Sequence, residues 1–216
     1  MSDTLPENQL PASAVSPETP AKQGWKGFLR EMVETLGLAI VLFLVINLIS
    51  ARVRVEGYSM QPTLDNGEYV LVSRLAYQLG KYQRGDIIIF RPPMYPEENW
   101  LRHLFGFPNF NDHYEDYIKR IIGLPGDHVK VENVIVSING VALSEPYIAA
   151  APNYSGEWTV PDKMLFVLGD NRNNSADSHI WRFVPMKNVL GKALVVYWPF
   201  TDWMILKSGQ AALAAP

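Results

Sequence analysis

Residues 128–140 read HVKVENVIVSING, and this stretch decides how the chain folds. Apolar and polar side chains alternate along it, with a break at Asn133, as they do in β-strands that bury one face. Asn139-Gly140 then follows, a pair that favours the type I′ turn of a two-residue hairpin. Because such a turn joins antiparallel neighbours, the stretch predicts an antiparallel sheet.

Similar signals extend outward from this hairpin in both directions. Pro125-Gly126 suits a type II turn, because glycine tolerates a positive φ. After residue 55, only 73–79 carries a helical period. Short runs rich in Val, Ile and aromatic residues predict further strands at 53–55, 67–73, 86–90, 166–168 and 193–197. The predicted fold is mainly β: an antiparallel β-sandwich or partly open barrel with a small β subdomain.

The composition narrows the range of functions. The 216 residues suffice for one sizeable core, or for one core with a small subdomain. The net charge of -3 lacks the basic surplus of a nucleic-acid-binding protein, so we predict no nucleic-acid partner. The chain has no cysteine, which excludes thiolate metal sites, and its histidines lack metal-ligand spacing. We therefore predict no metal and no cofactor.

The N-terminal part divides into two segments. Residues 1–24, rich in Pro, Ser, Thr and Ala, are predicted to be a disordered tail. Residues 36–49 read LGLAIVLFLVINLI, which is uncharged and apolar on every face. This run spans roughly 21 Å of a bilayer core of about 30 Å, so a buried core helix is the alternative. Because the run extends towards its N-terminus and Arg52 and Arg54 end it, we predict one transmembrane helix over 25–51.

The remaining boundaries follow from composition. Residues 52–204 form the predicted β-rich domain, and 205–216 form a C-terminal tail. Residues 91–116 are rich in aromatics, Pro and Asn and are interpreted as an insertion. A cleavable secretory signal is disfavoured, because a long polar segment precedes the apolar run.

Two patches carry candidate chemistry. GYSMQPTL, residues 57–64, places Ser59 between a flexible glycine and a proline-containing turn, where its hydroxyl needs a base to become a nucleophile. YIKRIIGLPGD, residues 117–127, places Lys119 in an apolar strand. An inward-pointing amine would have a pKa lowered by desolvation, and in its neutral form it could act as that base. The plainer alternatives are an ordinary turn and an exposed lysine.

A third patch, GDNRNNSADS at residues 169–178, is dense in short polar side chains. Such a loop could orient a lysine amine through Ser175 and pair an arginine through Asp177, although by itself it is typical of a polar turn. Residues 84–86, RGD, predict a turn into a buried strand. The spacing of the histidines and aspartates shows no pair that could activate Ser59 as in a Ser–His–Asp triad. This favours a Ser–Lys pair.

In this order the patches resemble those of the type I signal peptidases. The similarity covers roughly residues 36–199: the apolar anchor, then SMQPTL, RGDIIIF, YIKRIIGLPGD, GDNRNNSADS and VPMKNVLGKALVVYWP. That family is similar in fold to the self-cleaving domains of SOS-type repressors, which also use a Ser–Lys pair on a β scaffold. The resemblance implies a membrane-bound serine endopeptidase that removes N-terminal signal peptides from exported preproteins after small residues, in the pattern Ala-x-Ala.

The resemblance also implies roles for individual residues. Ser59 matches the nucleophile, whose backbone N–H would donate to the oxyanion, and Lys119 matches the general base. Ser175 matches a serine that hydrogen-bonds the lysine amine. Asp177 and Arg120 match a structural ion pair. Positions that line shallow apolar substrate pockets match Val53, Val55, Met60, Leu64, Tyr117 and Ile118.

Three positions depart from the family pattern. Gly57 stands where some members carry a serine that adds an oxyanion donor, although many relatives have glycine there. His179 stands where arginine is common, and Arg182 where glycine is usual. The change to His179 removes one expected partner of Asp177, so it bears on the ion-pair network and not on the Ser–Lys pair.

The resemblance implies preprotein signal peptides and the lipid bilayer as partners. It places the chain in the bacterial inner (plasma) membrane as a single-pass protein, with residues 1–24 in the cytoplasm and the catalytic domain on the outer, periplasmic face. One alternative is a specialised processing peptidase of conjugation or organelle type. A self-cleaving repressor would need a helix-turn-helix segment, which the Pro-rich N-terminus does not offer. A third alternative is a catalytically silent, membrane-tethered β-domain that binds partners. The sequence does not predict an oligomeric state.

Overall fold

The computed structural model describes residues 25–79, 81–94, 115–207 and 212–213. The predicted disordered tail, 1–24, lies outside the described residues, and so does most of the predicted insertion, 91–116.

The first element is a long apolar helix, α1 (Trp25–Ile49), of 25 residues. At about 1.5 Å per residue it is roughly 37 Å long, and it is the single described helix with the length and composition to cross a membrane. The side chains of Asn47 and Ser50 donate to the carbonyl oxygens of Phe43 and Ile46, each at 2.9 Å, so these polar groups are satisfied by the helix itself. None of the helix residues is buried, which does not fit the alternative of a core helix.

The larger sheet follows directly from this helix. Its eight strands are β1 (Ser50–Arg54), β2 (Tyr69–Ser73), β3 (Ile87–Phe90), β4 (Tyr117–Gly123), β9 (Met164–Leu168), β10 (Val184–Pro185), β11 (Val189–Trp198) and β12 (Met204–Ile205). They are arranged in the order β1-β2-β11-β3-β4-β9-β10, with β12 paired to β11, and every pair is antiparallel. Each predicted strand outside the hairpin region therefore has its counterpart in this sheet.

The smaller sheet contains the hairpin region. Its strands are β5 (His128–Glu132), β6 (Ile135–Ile138), β7 (Val141–Ser144), β8 (Gly156–Thr159) and β13 (Ala212–Leu213), in the order β13-β7-β6-β5-β8. Asn139 and Gly140 have φ values of 53° and 83°, the positive values that a type I′ turn requires, and they join β6 to β7 as predicted. The segment predicted as a C-terminal tail, 205–216, thus includes a strand that pairs with β7.

Helices are short in the part of the β region that the structure describes. The helical period predicted for 73–79 corresponds to a single turn, α2 (Ala76–Leu79), and a second turn, α3 (Ser178–Trp181), was not predicted. Two 3₁₀ turns span Met186–Asn188 and Phe200–Asp202. Gly126 has a φ of 83°, and the N–H of Asp127 donates to Leu124, as expected of the type II turn predicted there.

Strand β4 lies at the centre of the core and is buried on both faces. Ile118 and Ile122 point to one face and Ile121 to the other, since side chains alternate along a strand. These three isoleucines belong to three separate apolar clusters. Ile118 packs in the cluster of Met60 and Leu64. Ile122 packs in the cluster of Val129 and Phe166, and Ile121 in the cluster of Phe90 and Leu165. The prediction of a mainly β, partly open antiparallel barrel with a small β subdomain is confirmed.

Replacing Gly191 with alanine tests how closely β11 packs on β2. A Cβ at this position would lie 2.5 Å from the backbone oxygen of Ser73 and 2.7 Å from the side chain of Val72. Because a backbone oxygen cannot rotate away, we expect Gly191→Ala to lower the free energy of unfolding by about 1–3 kcal/mol, measured by chemical denaturation in detergent. Gly37→Ala is the control, since a Cβ at Gly37 meets nothing within 4 Å. Equal stability of the two variants would contradict this packing.

Candidate active site

The two candidate catalytic side chains meet in the structure. Lys119 lies in the middle of β4, paired with Ile88 of β3, and Ser59 lies in the loop between β1 and β2. The Nζ of Lys119 donates a hydrogen bond to the Oγ of Ser59 at 2.6 Å. Sixty positions of sequence separate the two residues, and the fold brings them to hydrogen-bonding distance.

The amine of Lys119 is buried, which changes its acid–base behaviour. The residue is 5% exposed, and burial lowers its pKa to about 8, because the loss of water destabilises the charged ammonium more than the neutral amine. The carboxylates of Asp177 and Asp170 act in the opposite direction and favour the ammonium. Burial dominates, so a substantial fraction of the amine is neutral at slightly alkaline pH and can accept a proton.

Backbone contacts hold the loop that carries Ser59. The N–H of Val55 donates to Glu68, and the N–H of Gly67 donates back to Val55, which closes the base of the loop. Gly57 has a φ of 91°, a conformation that favours glycine, so the flexible glycine predicted before the nucleophile has a steric role. The loop is therefore a fixed turn in which Ser59 faces β4.

The polar loop 169–178 packs directly against the nucleophile. The N–H of Asn171 donates to the carbonyl oxygen of Ser59 at 3.0 Å, and its side-chain amide donates to the carbonyl oxygen of Tyr58 at 3.1 Å. A side chain at Gly169 would overlap both the Ser59 carbonyl oxygen and the Ser175 hydroxyl. Only glycine fits between these groups, and the close approach fixes the position of Ser59.

Arg120 forms its ion pair with Asp170. Both groups are fully buried, and the guanidinium binds both carboxylate oxygens, at 2.8 and 2.6 Å. Arg120 also donates to the carbonyl oxygen of Gly85 and to the hydroxyl of Thr63. One arginine thus joins β4 to the nucleophile loop, to the turn before β3 and to the polar loop.

The predicted ion pair between Arg120 and Asp177 is not formed. Asp177 caps the N-terminus of α3, and its carboxylate accepts from the backbone N–H of Gly169 at 2.9 Å. Its other oxygen faces the imidazole of His179, with 2.7 Å between Nδ1 and Oδ1. His179 is thus a partner of Asp177, contrary to the expectation that the change from arginine removes one. Both carboxylate oxygens of Asp177 therefore have partners between residues 169 and 179, and the carboxylate that pairs with Arg120 is that of Asp170.

A second buried cluster supports the polar loop from the side of the small sheet. Arg172 pairs with Glu145, and its Nε donates to the carbonyl oxygen of Gly169 at 3.0 Å. The ring of Tyr147 lies 4.0 Å from the guanidinium carbon of Arg120 and 5.9 Å from that of Arg172. Sequence reasoning missed this cluster, since nothing marks Glu145 or Tyr147 as partners of a loop some 25 residues away.

Comparison with known proteins connects this geometry to a family. Residues 29–198 match the family described as signal peptidase, peptidase S26. The chain belongs to the signal peptidase family. Signal peptidase I of Leptolyngbya laminosa is 40% identical over 198 residues, which cover 89% of this chain and 92% of that protein. A probable signal peptidase I-2 of Synechocystis sp. is 39% identical over 197 residues, covering 90% of this chain and 83% of the relative.

Among solved structures, a signal peptidase I from Enterococcus faecalis V583 is 34% identical, with a TM-score of 0.41, covering 52% of this chain and 96% of that chain. As a member of the peptidase S26 family, the chain is a serine endopeptidase. Its apolar α1 helix fits a single-pass membrane protein.

Ser175, matched by the resemblance to a lysine-binding serine of signal peptidases, does not hydrogen-bond Lys119 here. Its Oγ is buried and has no hydrogen-bond partner among the residues that the structure describes. The hydroxyl packs instead against Gly169. Ser175 therefore lies in the loop beside the Ser–Lys pair without the contact that the resemblance implied.

The residues matched to the substrate pockets of signal peptidases divide between two clusters. Val55, Met60 and Leu64 are almost completely buried and pack together with Ile118, and Val53 packs against them half-buried. Tyr117 packs against a different cluster, with its ring 5.6 Å from the Lys119 amine. The buried members can form the floor of a pocket, and their role in substrate binding stays a prediction.

Replacing Asp170 with asparagine tests the buried ion pair. Asn is nearly isosteric but leaves the buried guanidinium of Arg120 without an anion, so we expect a loss of about 3–5 kcal/mol in the free energy of unfolding, measured by denaturation in detergent. The control is Glu132→Gln, which removes an exposed ion pair with Lys130 and should leave stability unchanged. Comparable losses in both variants would contradict a special role for the Asp170 pair.

Proposed function

We propose that this chain removes signal peptides from exported preproteins, with Ser59 as nucleophile and Lys119 as general base. The observation that carries the proposal is the 2.6 Å contact between a buried amine and a serine hydroxyl. The substrate class is supported by relatives that are named signal peptidase I in two cyanobacteria, each similar over most of its length.

In the first step, neutral Lys119 removes the hydroxyl proton of Ser59 while Oγ attacks the carbonyl carbon of the scissile peptide bond. The charge that develops on the carbonyl oxygen is stabilised by the backbone N–H of Ser59, and Gly57 supplies no side-chain donor for it. The ammonium of Lys119 then gives the proton to the leaving amine, so the peptide C–N bond breaks and an acyl-enzyme remains.

In the second step, Lys119 is neutral again and removes a proton from water. The hydroxide attacks the ester carbonyl, the bond to Ser59 Oγ breaks, and the ammonium returns the proton to that oxygen. The cleaved signal peptide leaves with a free carboxylate. The cycle uses one side chain as both base and acid, which requires a pKa close to the working pH, as burial provides for Lys119.

The substrate would bind as an extended strand whose small side chains fill apolar pockets. Among the described residues, strand β1 pairs only with β2 and forms an edge of the large sheet, so its other side offers backbone groups for an added strand. Met60, directly after Ser59, packs with Leu64 and Ile118 in one buried apolar cluster. An apolar surface beside the nucleophile is compatible with the preference for alanine at the −1 and −3 positions that the family resemblance implies.

We further propose that α1 anchors the chain in the bacterial inner membrane, with residues 1–24 in the cytoplasm and the β domain on the outer face. The proposal is supported by the apolar length of α1 and by the family resemblance, in which the peptidase acts on exported chains. In this arrangement β1, which starts directly at the end of α1, lies next to the membrane surface.

Cleavage of a preprotein with an Ala-x-Ala site is the direct test, with the full chain in detergent or lipid. We expect the unchanged chain to cut after the second alanine. Ser59→Ala, Lys119→Ala and Lys119→Arg should each lose about 1000-fold or more in rate, because the first removes the nucleophile and the others remove the base. The measurement is the cleavage rate, with mass spectrometry of the product N-terminus.

Matched controls separate catalysis from general damage to the β domain. Lys130→Ala and Ser144→Ala change the same residue types at exposed or half-buried positions in the small sheet and should retain full rates. An active Lys119→Arg variant would overturn the assignment of the base. Inactivity of the unchanged chain towards every preprotein tested would favour the catalytically silent β-domain.

The pH dependence of cleavage follows from the lowered pKa of Lys119. Only the neutral amine can act as a base, so kcat/KM should rise about tenfold per pH unit below pH 8 and level off above it. A lysine with its ordinary pKa would give a rise that continues beyond pH 10. The measurement is kcat/KM from pH 6 to 10, and a flat profile from pH 6 to 8 would contradict the prediction.

A further inference from the structure

His179 is held in place on two sides. Its Nδ1 lies 2.7 Å from Oδ1 of Asp177, and its ring stacks on Tyr154 with 4.0 Å between ring centroids and 9° between planes. The side chain is 18% exposed, whereas that of Asp177 is fully buried. The geometry therefore fixes one edge and one face of the imidazole, and little rotational freedom remains.

A continuous set of contacts leads from this imidazole to the nucleophile. Asp177 uses its second oxygen to accept from the N–H of Gly169 at 2.9 Å. Gly169 touches the carbonyl oxygen of Ser59, and the N–H of Asn171 donates to the same oxygen at 3.0 Å. A change in the orientation of the Asp177 carboxylate would move the segment against which Ser59 rests.

The charged and titratable groups around His179 are few in the described part of the chain. Asp177 faces its ring edge, and Tyr154, whose pKa is raised by burial, covers its face. The Arg172–Glu145 pair lies beyond Tyr154, and its two charges largely offset each other. Among the described side chains, the imidazole of His179 is the one within hydrogen-bonding distance of the Asp177 carboxylate.

We propose that His179 is a positioning residue for the Ser59–Lys119 pair: its Nδ1–H orients the Asp177 carboxylate, which in turn holds Gly169 against the nucleophile. The inference deepens the proposed function and rests on it. His179 touches neither Ser59 nor the scissile bond and acts only through Asp177.

An electrostatic consequence distinguishes this role from simple packing. The Asp177 carboxylate favours the ammonium form of Lys119. A permanent cation at position 179 would offset that charge and make deprotonation of Lys119 easier.

Three substitutions separate the hydrogen bond, the ring and the charge, each measured in the full chain in detergent on an Ala-x-Ala preprotein. His179→Asn keeps a neutral N–H donor near the Nδ1 position and should keep kcat within about threefold, with the same pH midpoint. His179→Phe keeps a ring on Tyr154 but no donor, and kcat should fall about tenfold with KM nearly unchanged. His179→Arg should keep kcat and lower the midpoint by about half a pH unit or more.

A readout independent of turnover is the titration of the Lys119 Cε resonance by ¹³C NMR, assigned with Lys119→Ala. His179→Arg should lower its midpoint by the same amount, and His179→Asn should not. Equal midpoints for the Asn and Arg variants would overturn the inference, even if His179→Phe fails to fold. A folded His179→Phe variant with unchanged kcat would overturn it as well. Failure of the unchanged chain to cleave would instead refute the proposed function, and the NMR titration would still decide the role of His179.

Discussion

The active-site geometry depends on the burial of one amine beside one hydroxyl, with carboxylates near but not in contact. Burial lowers the pKa of Lys119 to about 8, although Asp170 and Asp177 oppose the shift. Direct pairing with either carboxylate would keep the lysine protonated and unable to act as a base. Asp170 is held by Arg120, and Asp177 by Gly169 and His179, so the hydrogen bond of the amine goes to Ser59.

The two adjacent basic residues of β4 have different roles because of strand geometry and side-chain chemistry. Lys119 and Arg120 point to opposite faces of the strand. A buried guanidinium keeps its charge at every accessible pH, so it needs a full set of acceptors, which Asp170, Gly85 and Thr63 supply. A buried amine can lose its proton instead. One cation is thus structural and permanent, while the other is free to titrate.

The small sheet contributes to the site through the segment 145–154 between β7 and β8. This segment contacts the polar loop 169–178 through the Arg172–Glu145 ion pair, the ring of Tyr147 beside Arg172 and the hydrogen bond from the N–H of Asn153 to Asn173. Tyr154 of the same segment stacks on His179, directly after the loop. The loop bears Asn171, which donates to the carbonyl oxygen of Ser59, yet loops alone are mobile. Packing against the segment 145–154 gives the loop the rigidity that a preorganised site requires.

Periodicity and turn residues determined much of the fold: the alternation in 128–138, the Asn139-Gly140 turn and the apolar run in α1 each have a local physical cause. Ser59 and Lys119 were likewise candidates from the sequence, through motifs that resemble those of signal peptidases, and the fold brings the two side chains to hydrogen-bonding distance. Which carboxylate reaches Arg120 was decided only by the tertiary structure. Asp170 and Asp177 are chemically identical and lie seven positions apart in one loop. Their partners depend on the path of that loop and on contacts from 145–154, and such distant packing leaves no periodic trace in the sequence.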